Sequence, residues 1–293
     1  MIKHPATQRL TVIGVGLIGG SLSRALRRAG FVGEVVGCGR SLDNLNRAIE
    51  LGVIDRYHQD PAQAVAGADL VFIAVPLGAM AETFAAIRDH LAPDAILTDG
   101  GSVKGSVVAD ARRVFGQLPK LFVPGHPIAG TEQSGVDASF AELYRNRRVI
   151  LTPLSETDPA ATAKVQAMWE ACGAEVTQMA VDHHDEVLAA TSHLPHLLAY
   201  SLVDSLARLR ENDEIFRYAA GGFRDFTRIA SSHPIMWRDI CVANRQALGQ
   251  MLARFQSELA ELTADVERGD GEALLEVFER AKAARDRYIG RLG

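Results

Sequence analysis

The chain of 293 residues is long enough for two domains, and 47% hydrophobic against 23% charged residues is the balance of a globular protein, which excludes disorder. A formal net charge of −5 argues against a nucleic-acid surface, and the short basic clusters at residues 24–28 and 145–148 read as solvated faces. Cys38, Cys172 and Cys241 lack metal-ligand spacing, no signal-peptide pattern opens the chain, and no apolar run approaches the roughly 18 residues of a membrane span. The expectation is a soluble cytoplasmic protein with reduced thiols and no metal.

Residues 10–20 read Leu-Thr-Val-Ile-Gly-Val-Gly-Leu-Ile-Gly-Gly, a buried strand running into a glycine fingerprint and then a helix. Gly14 permits the tight turn, Gly16 lets the backbone approach a pyrophosphate, and Gly19 lets the helix pack on the strand. Leu17 and Ile18 open that helix, so Gly14, Gly16, Leu17, Ile18 and Gly19 are cofactor-binding candidates at a helix N-terminus facing the phosphates. A second strand, residues 34–37, leads into Cys38-Gly39-Arg40-Ser41. An acidic residue in Gly39's place would bind the ribose hydroxyls of NAD; here Arg40 and Ser41 are donors suited to a 2′-phosphate, which favours NADP over NAD. Asp43 is the residue that could serve the ribose instead.

A helix over 42–51 stops at Gly52, and residues 69–75 form an apolar strand whose exit, Val75-Pro76, is a further cofactor candidate at a carboxyl end. After a helix at 79–90, the strand 96–99 enters Gly100-Gly101-Ser102-Val103-Lys104, and the strand 121–124 enters Gly125-His126-Pro127-Ile128-Ala129-Gly130-Thr131-Glu132. Strands at 148–152 and 175–179, around a helix near 164–172, complete the alternation of a doubly wound parallel sheet over residues 1–180. From residue 181 strand signals vanish. Residues 181–293 read as an all-α domain, with an apolar segment at 185–209 and one later helix whose stripe from Trp237 to Val266 is a packing seam; the expected assembly is a homodimer.

His126, in a Gly/Pro-bracketed loop after a strand, is the candidate base for a hydroxyl proton during hydride transfer. Ser102 could share the substrate oxygen with it and bind near the cofactor, or cap a helix over 103–113; Lys104 offers an anion contact. His193 and His196 have helical spacing but no third or fourth metal ligand. His183 and His184, beside Asp182 and Asp185, read as a solvated helix start. Arg224 and Arg228, following Gly221-Gly222, suit carboxylate clamps, with an intersubunit ion pair as the competing role.

Taken in order, Val-Ile-Gly-Val-Gly-Leu-Ile-Gly-Gly-Ser, Asp99-Gly-Gly-Ser-Val-Lys104, Gly125-His-Pro-Ile-Ala-Gly-Thr-Glu132, Ser192-His-Leu-Pro-His196 and Phe226-Thr-Arg-Ile-Ala230 with Trp237 resemble the prephenate and arogenate dehydrogenase family of tyrosine biosynthesis, over nearly the whole chain. The resemblance implies that His126 is the base toward the ring C4 hydroxyl, with Ser102 hydrogen-bonding the same region. It implies that His196 and Arg228 hold the substrate and that Glu132, His193 and Trp237 line the pocket. Hydride then passes to the nicotinamide of NADP or NAD and the ring carboxylate leaves as carbon dioxide. Prephenate versus arogenate stays open. The expectation is the compact two-domain form, without the fused mutase or regulatory domain of some relatives, so that feedback by tyrosine would act at the active site.

Two rival readings are a β-hydroxyacid dehydrogenase, which would need a lysine in the helical part where only Lys282 follows residue 180, and a dinucleotide-sensing regulator, which would need a DNA-binding surface.

Overall fold

The computed structural model describes residues 5–210 and 212–288. Its first six strands are β1 (Thr7–Ile13), β2 (Val32–Cys38), β3 (Arg56–His58), β4 (Leu70–Ile73), β5 (Ile96–Asp99) and β6 (Phe122–Val123), all parallel in the order β3-β2-β1-β4-β5-β6. Side chains alternate along each strand, so Leu70 and Phe72 join one buried cluster while Val71 and Ile73 join the other. Being buried on both faces is why the central strands β1, β4 and β5 read as mainly apolar runs. The helices α1 (Leu17–Arg28), α2 (Leu42–Glu50), α3 (Pro61–Val65), α4 (Met80–Ile87) and α5 (Lys104–Phe115) make the crossovers. Strand order reverses between β1 and β4. Because Ile13 pairs with Ile73 and Ile73 with Asp99, the loops after β1, β4 and β5 open together at that switch point.

β3 and α3 were not expected. The strand is three residues long and carries no apolar run, but the helix does carry a start signal: Pro61 occupies its first turn and Asp60 accepts the Ala62 N–H at 3.0 Å.

The last strands do not extend the parallel sheet as the alternation suggested. β7 (Gly125–Pro127), β8 (Arg148–Leu151) and β9 (Glu175–Gln178) form a separate sheet, β7 antiparallel to β8 and β8 parallel to β9. The break falls at Pro124, which has no N–H to continue the ladder and whose carbonyl accepts from Thr152 N at 2.9 Å. His126 therefore sits in a strand, opposite Ile150, and not in a loop. Helix α6 (Pro159–Ala171) brings Trp169 edge-on to Phe72 and Tyr144, with ring centroids 5.6 and 5.0 Å apart.

Beyond β9 come α7 (Val181–Leu188), a π turn (Ala189–His193), α8 (Leu194–Ala207), α9 (Asn212–Arg217), α10 (Gly221–Thr227) with a 3-10 turn (Arg228–Ser231), and α11 (Pro234–Ala243). Pro195 lies in the first turn of α8, just after the π turn. The seam read as one helix is two: Asn244, at φ −97° and ψ 28°, separates α11 from α12 (Arg245–Arg268), which α13 (Gly271–Tyr288) follows.

The chain divides into two compact units, Met1–Arg245 and Gln246–Gly293. The first contains both sheets and every candidate site residue. The second comprises the rest of α12 with α13 and leaves Leu259, Val266, Leu275 and Phe278 exposed. No described helix is long and apolar enough to cross a membrane.

Candidate active site

At the switch point Gly14 has φ +98°, and a Cβ there would meet the Ala74 carbonyl oxygen at 2.3 Å. A Cβ on Gly19 would fall 2.2 Å from the Gly14 carbonyl oxygen, whereas one on Gly16 would meet nothing within 4 Å. Two glycines thus permit close packing and the third faces open space. The side-chain-free Gly16 caps α1, no acidic residue lies in the first turn, and the amides of Leu17, Ile18 and Gly19 have no intrahelical acceptor. This cradle fits a dinucleotide pyrophosphate. Val75 and Pro76 leave β4 beside it, and Ser102 is half-buried in the loop after β5.

At the end of β2, Arg40, Ser41 and Asp43 are all exposed. Ser41 Oγ accepts the Asn44 N–H at 3.2 Å as the cap of α2, which leaves its hydroxyl hydrogen free to donate.

The second half of the site is a buried polar chain. His126 Nδ1 lies 2.9 Å from His184 Nε2, and His184 Nδ1 lies 2.8 Å from Asp185 Oδ1. Asp185 also accepts the N–H groups of Lys104 and Gly105, each at 2.8 Å. It is therefore Asp185, from α7, that satisfies the first turn of α5; the cap position belongs to Val103, and the capping role weighed for Ser102 is not seen. Lys104 is fully buried and offers no anion contact to solvent. Its Nζ donates to Asp99 and, at 2.6 Å, to the Gly125 carbonyl. Asp99 in turn accepts Gly101 N–H and Gly125 N–H, so the end of β5 and the start of β7 are tied together directly beneath His126.

His184 corrects the sequence reading most. It is fully buried, while His183 next to it is exposed and faces Glu186. The signal was available: residues 181, 184, 185 and 188 recur at helical spacing, so one histidine of the pair must turn inward with Val181 and Leu188.

Further along, Asn244 Nδ2 donates to the Asp185 carbonyl at 2.8 Å and to His193 Nδ1 at 2.9 Å. The neutral His193 ring then carries its proton on Nε2 as a donor. His196 donates from Nδ1 to the Ser192 carbonyl at 2.8 Å and stacks on Trp237, with centroids 3.6 Å apart and planes at 18°. Trp237 packs with Val103 and Ile240, next to Leu77 of the loop after β4, which joins the helical wall to the cofactor edge. Asn244 was not singled out in the sequence.

Burial drives the pKa values of all these rings downward. His126 is held well below the ordinary histidine value by burial and by His184, Lys104 and His193 nearby. Burial likewise lowers His184 against the opposing pull of Asp185, lowers His196, and pushes His193 down to about 4. Lys104 too is lowered by burial, with Asp99 opposing.

Arg228 pairs with Glu132, and both side chains are exposed, as is Arg224; neither arginine is buried as the glycine turn had suggested. Arg228 lies within electrostatic reach of His196. Among the described residues no group of three or more His, Cys, Asp or Glu side chains could hold a metal ion.

A Rossmann-type sheet with an intact glycine cradle, facing a histidine held by a neighbouring helical wall, defines a dinucleotide-binding α/β protein with a second, helical part. Residues 22–178 match the nucleotide-binding domain of prephenate dehydrogenase and residues 180–280 its dimerization domain, so the chain belongs to the prephenate dehydrogenase family. It is 40% identical to a cyclohexadienyl dehydrogenase of Zymomonas mobilis over 95% of both chains, and 35% identical to a prephenate dehydrogenase of Bacillus subtilis over 94% of this chain and 75% of that one. Among solved structures it resembles prephenate dehydrogenase from A. aeolicus in complex with hydroxyphenyl propionate and NAD+, with a TM-score of 0.89, 38% identity, and coverage of 96% and 98%. It also resembles Synechocystis arogenate dehydrogenase, with a TM-score of 0.81, 28% identity, and coverage of 96% and 100%.

Proposed function

We propose that this protein carries out the oxidative decarboxylation of prephenate, arogenate or both, with His126 as the general base. The observation that carries the reading is the state of His126. Its ring is buried at the carboxyl edge of the sheet, its pKa is depressed, and with Nδ1 taken by His184 only Nε2 is available to a substrate hydroxyl. Removing the C4 hydroxyl proton lets the C–O bond become a carbonyl as hydride leaves C4. Loss of the ring carboxylate as carbon dioxide then yields an aromatic ring, which makes the reaction effectively irreversible. When bound, the nicotinamide dinucleotide supplies the hydride acceptor.

In this reading residues 1–180 hold the cofactor, through Gly14, Gly16, Leu17, Ile18, Gly19, Val75, Pro76 and Ser102. Residues 181–293 bind substrate and dimerise in a cytoplasmic enzyme. Ser102 shares the C4 oxygen. His193 offers Nε2–H as a donor and His196 offers Nε2 as an acceptor, while Trp237 fixes the His196 ring. Arg228 clamps a substrate carboxylate, which must displace Glu132; tyrosine, which keeps a carboxylate, would compete there. Arg40 and Ser41, with no acid at Gly39, favour NADP over NAD. Initial rates with both substrates and both cofactors test the reading: turnover of prephenate or arogenate is expected, and none with either would overturn it.

A further inference from the structure

We propose that His184 is a positioning residue that holds His126 in the tautomer with its proton on Nδ1 and its lone pair on Nε2, and that Asp185 orients His184 in turn. The inference rests on the reading of His126 as the base, and adds what makes it one.

Each link follows from donor and acceptor counting. A carboxylate only accepts, so His184 Nδ1, 2.8 Å from Asp185 Oδ1, carries a proton. Neutral His184 then has a bare Nε2. The His126 nitrogen facing it at 2.9 Å must bring a proton, which leaves neutral His126 bare at Nε2. Asp185 cannot swing away, because the first-turn amides of α5 hold both its oxygens. The reverse polarity would need a charged His184. Burial and Lys104 oppose that charge; Asp185 and Asp99 favour it, and burial is the largest influence. The charged and titratable groups facing the pair are thus Asp99 from β5, Lys104 from α5, Asp185 from α7 and His193 from the π turn.

During turnover the hydroxyl proton goes to His126 Nε2. The imidazolium so formed keeps donating from Nδ1 to His184, whose far side is backed by the Asp185 carboxylate. No second proton needs to move. Without His184 the His126 proton is free to sit on Nε2, where the ring would donate to the substrate hydroxyl instead of accepting from it.

The test combines spectroscopy on the wild type with two variants. In 15N-histidine NMR spectra of the intact enzyme near neutral pH, His126, assigned through His126→Asn, is expected to be protonated at Nδ1 and bare at Nε2; the opposite tautomer would overturn the proposal. His184→Leu removes the acceptor and His184→Gln restores one through its side-chain carbonyl. The leucine variant is expected to lose roughly 10²–10⁴-fold in kcat, the range of general-base and wrong-tautomer effects, with KM and cofactor binding little changed and a shifted acid limb. The glutamine variant should recover at least about tenfold of that loss. Equal activity of the two with an unchanged pH profile would also overturn it. Should neither variant fold, the wild-type tautomer still decides. His126→Asn separates the two claims: if it retains full turnover the base assignment fails, and if it is inactive while His184→Leu is fully active only the positioning role fails.

Discussion

Asn244 donates from one amide nitrogen to the Asp185 carbonyl and to His193 Nδ1, so the residue that breaks the helical seam also fixes a site histidine in its neutral form. With the His193 pKa depressed to about 4 in the fold and near 6.5 when unfolded, the unfolded chain binds more protons between those values. The part of native stability linked to the neutral His193 is therefore fully present above pH 6.5, declines as pH falls toward 4, and changes no further below it. The contribution is about 3 kcal/mol at most, from the free energy per unit of pKa shift. Urea unfolding across that window is expected to show a shallower pH dependence in His193→Gln than in the wild type. An identical slope would remove His193 from the account.

Arg228 and Glu132 form an exposed pair, and such solvent-screened pairs contribute little to stability, so a substrate carboxylate would displace Glu132 at little cost. A clamp desolvated by bound substrate contributes more. Arg228→Ala is expected to lower kcat/KM by the equivalent of ~2–4 kcal/mol, mainly through KM, whereas Glu132→Gln should leave KM unchanged or lower. An unaltered KM in Arg228→Ala would sink the clamp.

The proposed NADP preference rests on Arg40. An NADP preference of about 10- to 100-fold in kcat/KM is expected if one charge-assisted contact contributes ~1.5–3 kcal/mol, and Arg40→Ala should remove most of it. A wild type preferring NAD would instead assign the ribose to Asp43.

The sheet core was legible because β1, β4 and β5 are buried on both faces, which forces apolar runs, and because Gly14 and Gly19 sit where the turn and the helix packing demand them. The second sheet was not, since β7 is Gly-His-Pro and looks like a turn; its strand character comes from pairing with β8. His126 stands out in the sequence as a loop residue, and the structure places it in β7 instead. His184 and Asp185 were missed because polar neighbours at a helix start suggest solvent, and what buries them lies elsewhere: His126 is 58 residues away and the first turn of α5 about 80. Asn244 and the Glu132–Arg228 pair likewise depend on partners 59 and 96 positions distant, beyond any local periodicity.

We propose that a neutral His126 takes the substrate proton, and the pH dependence of kcat in wild type and His126→Asn decides whether it does. Burial holds the His126 pKa well below 6.5, so the base form persists into mild acid and activity should fall only below that lowered value. In His126→Asn, kcat at neutral pH is expected to drop ~100-fold or more with cofactor binding intact, and the acid limb should vanish. Turnover within a few-fold of wild type, with the same acid limb, would contradict the account.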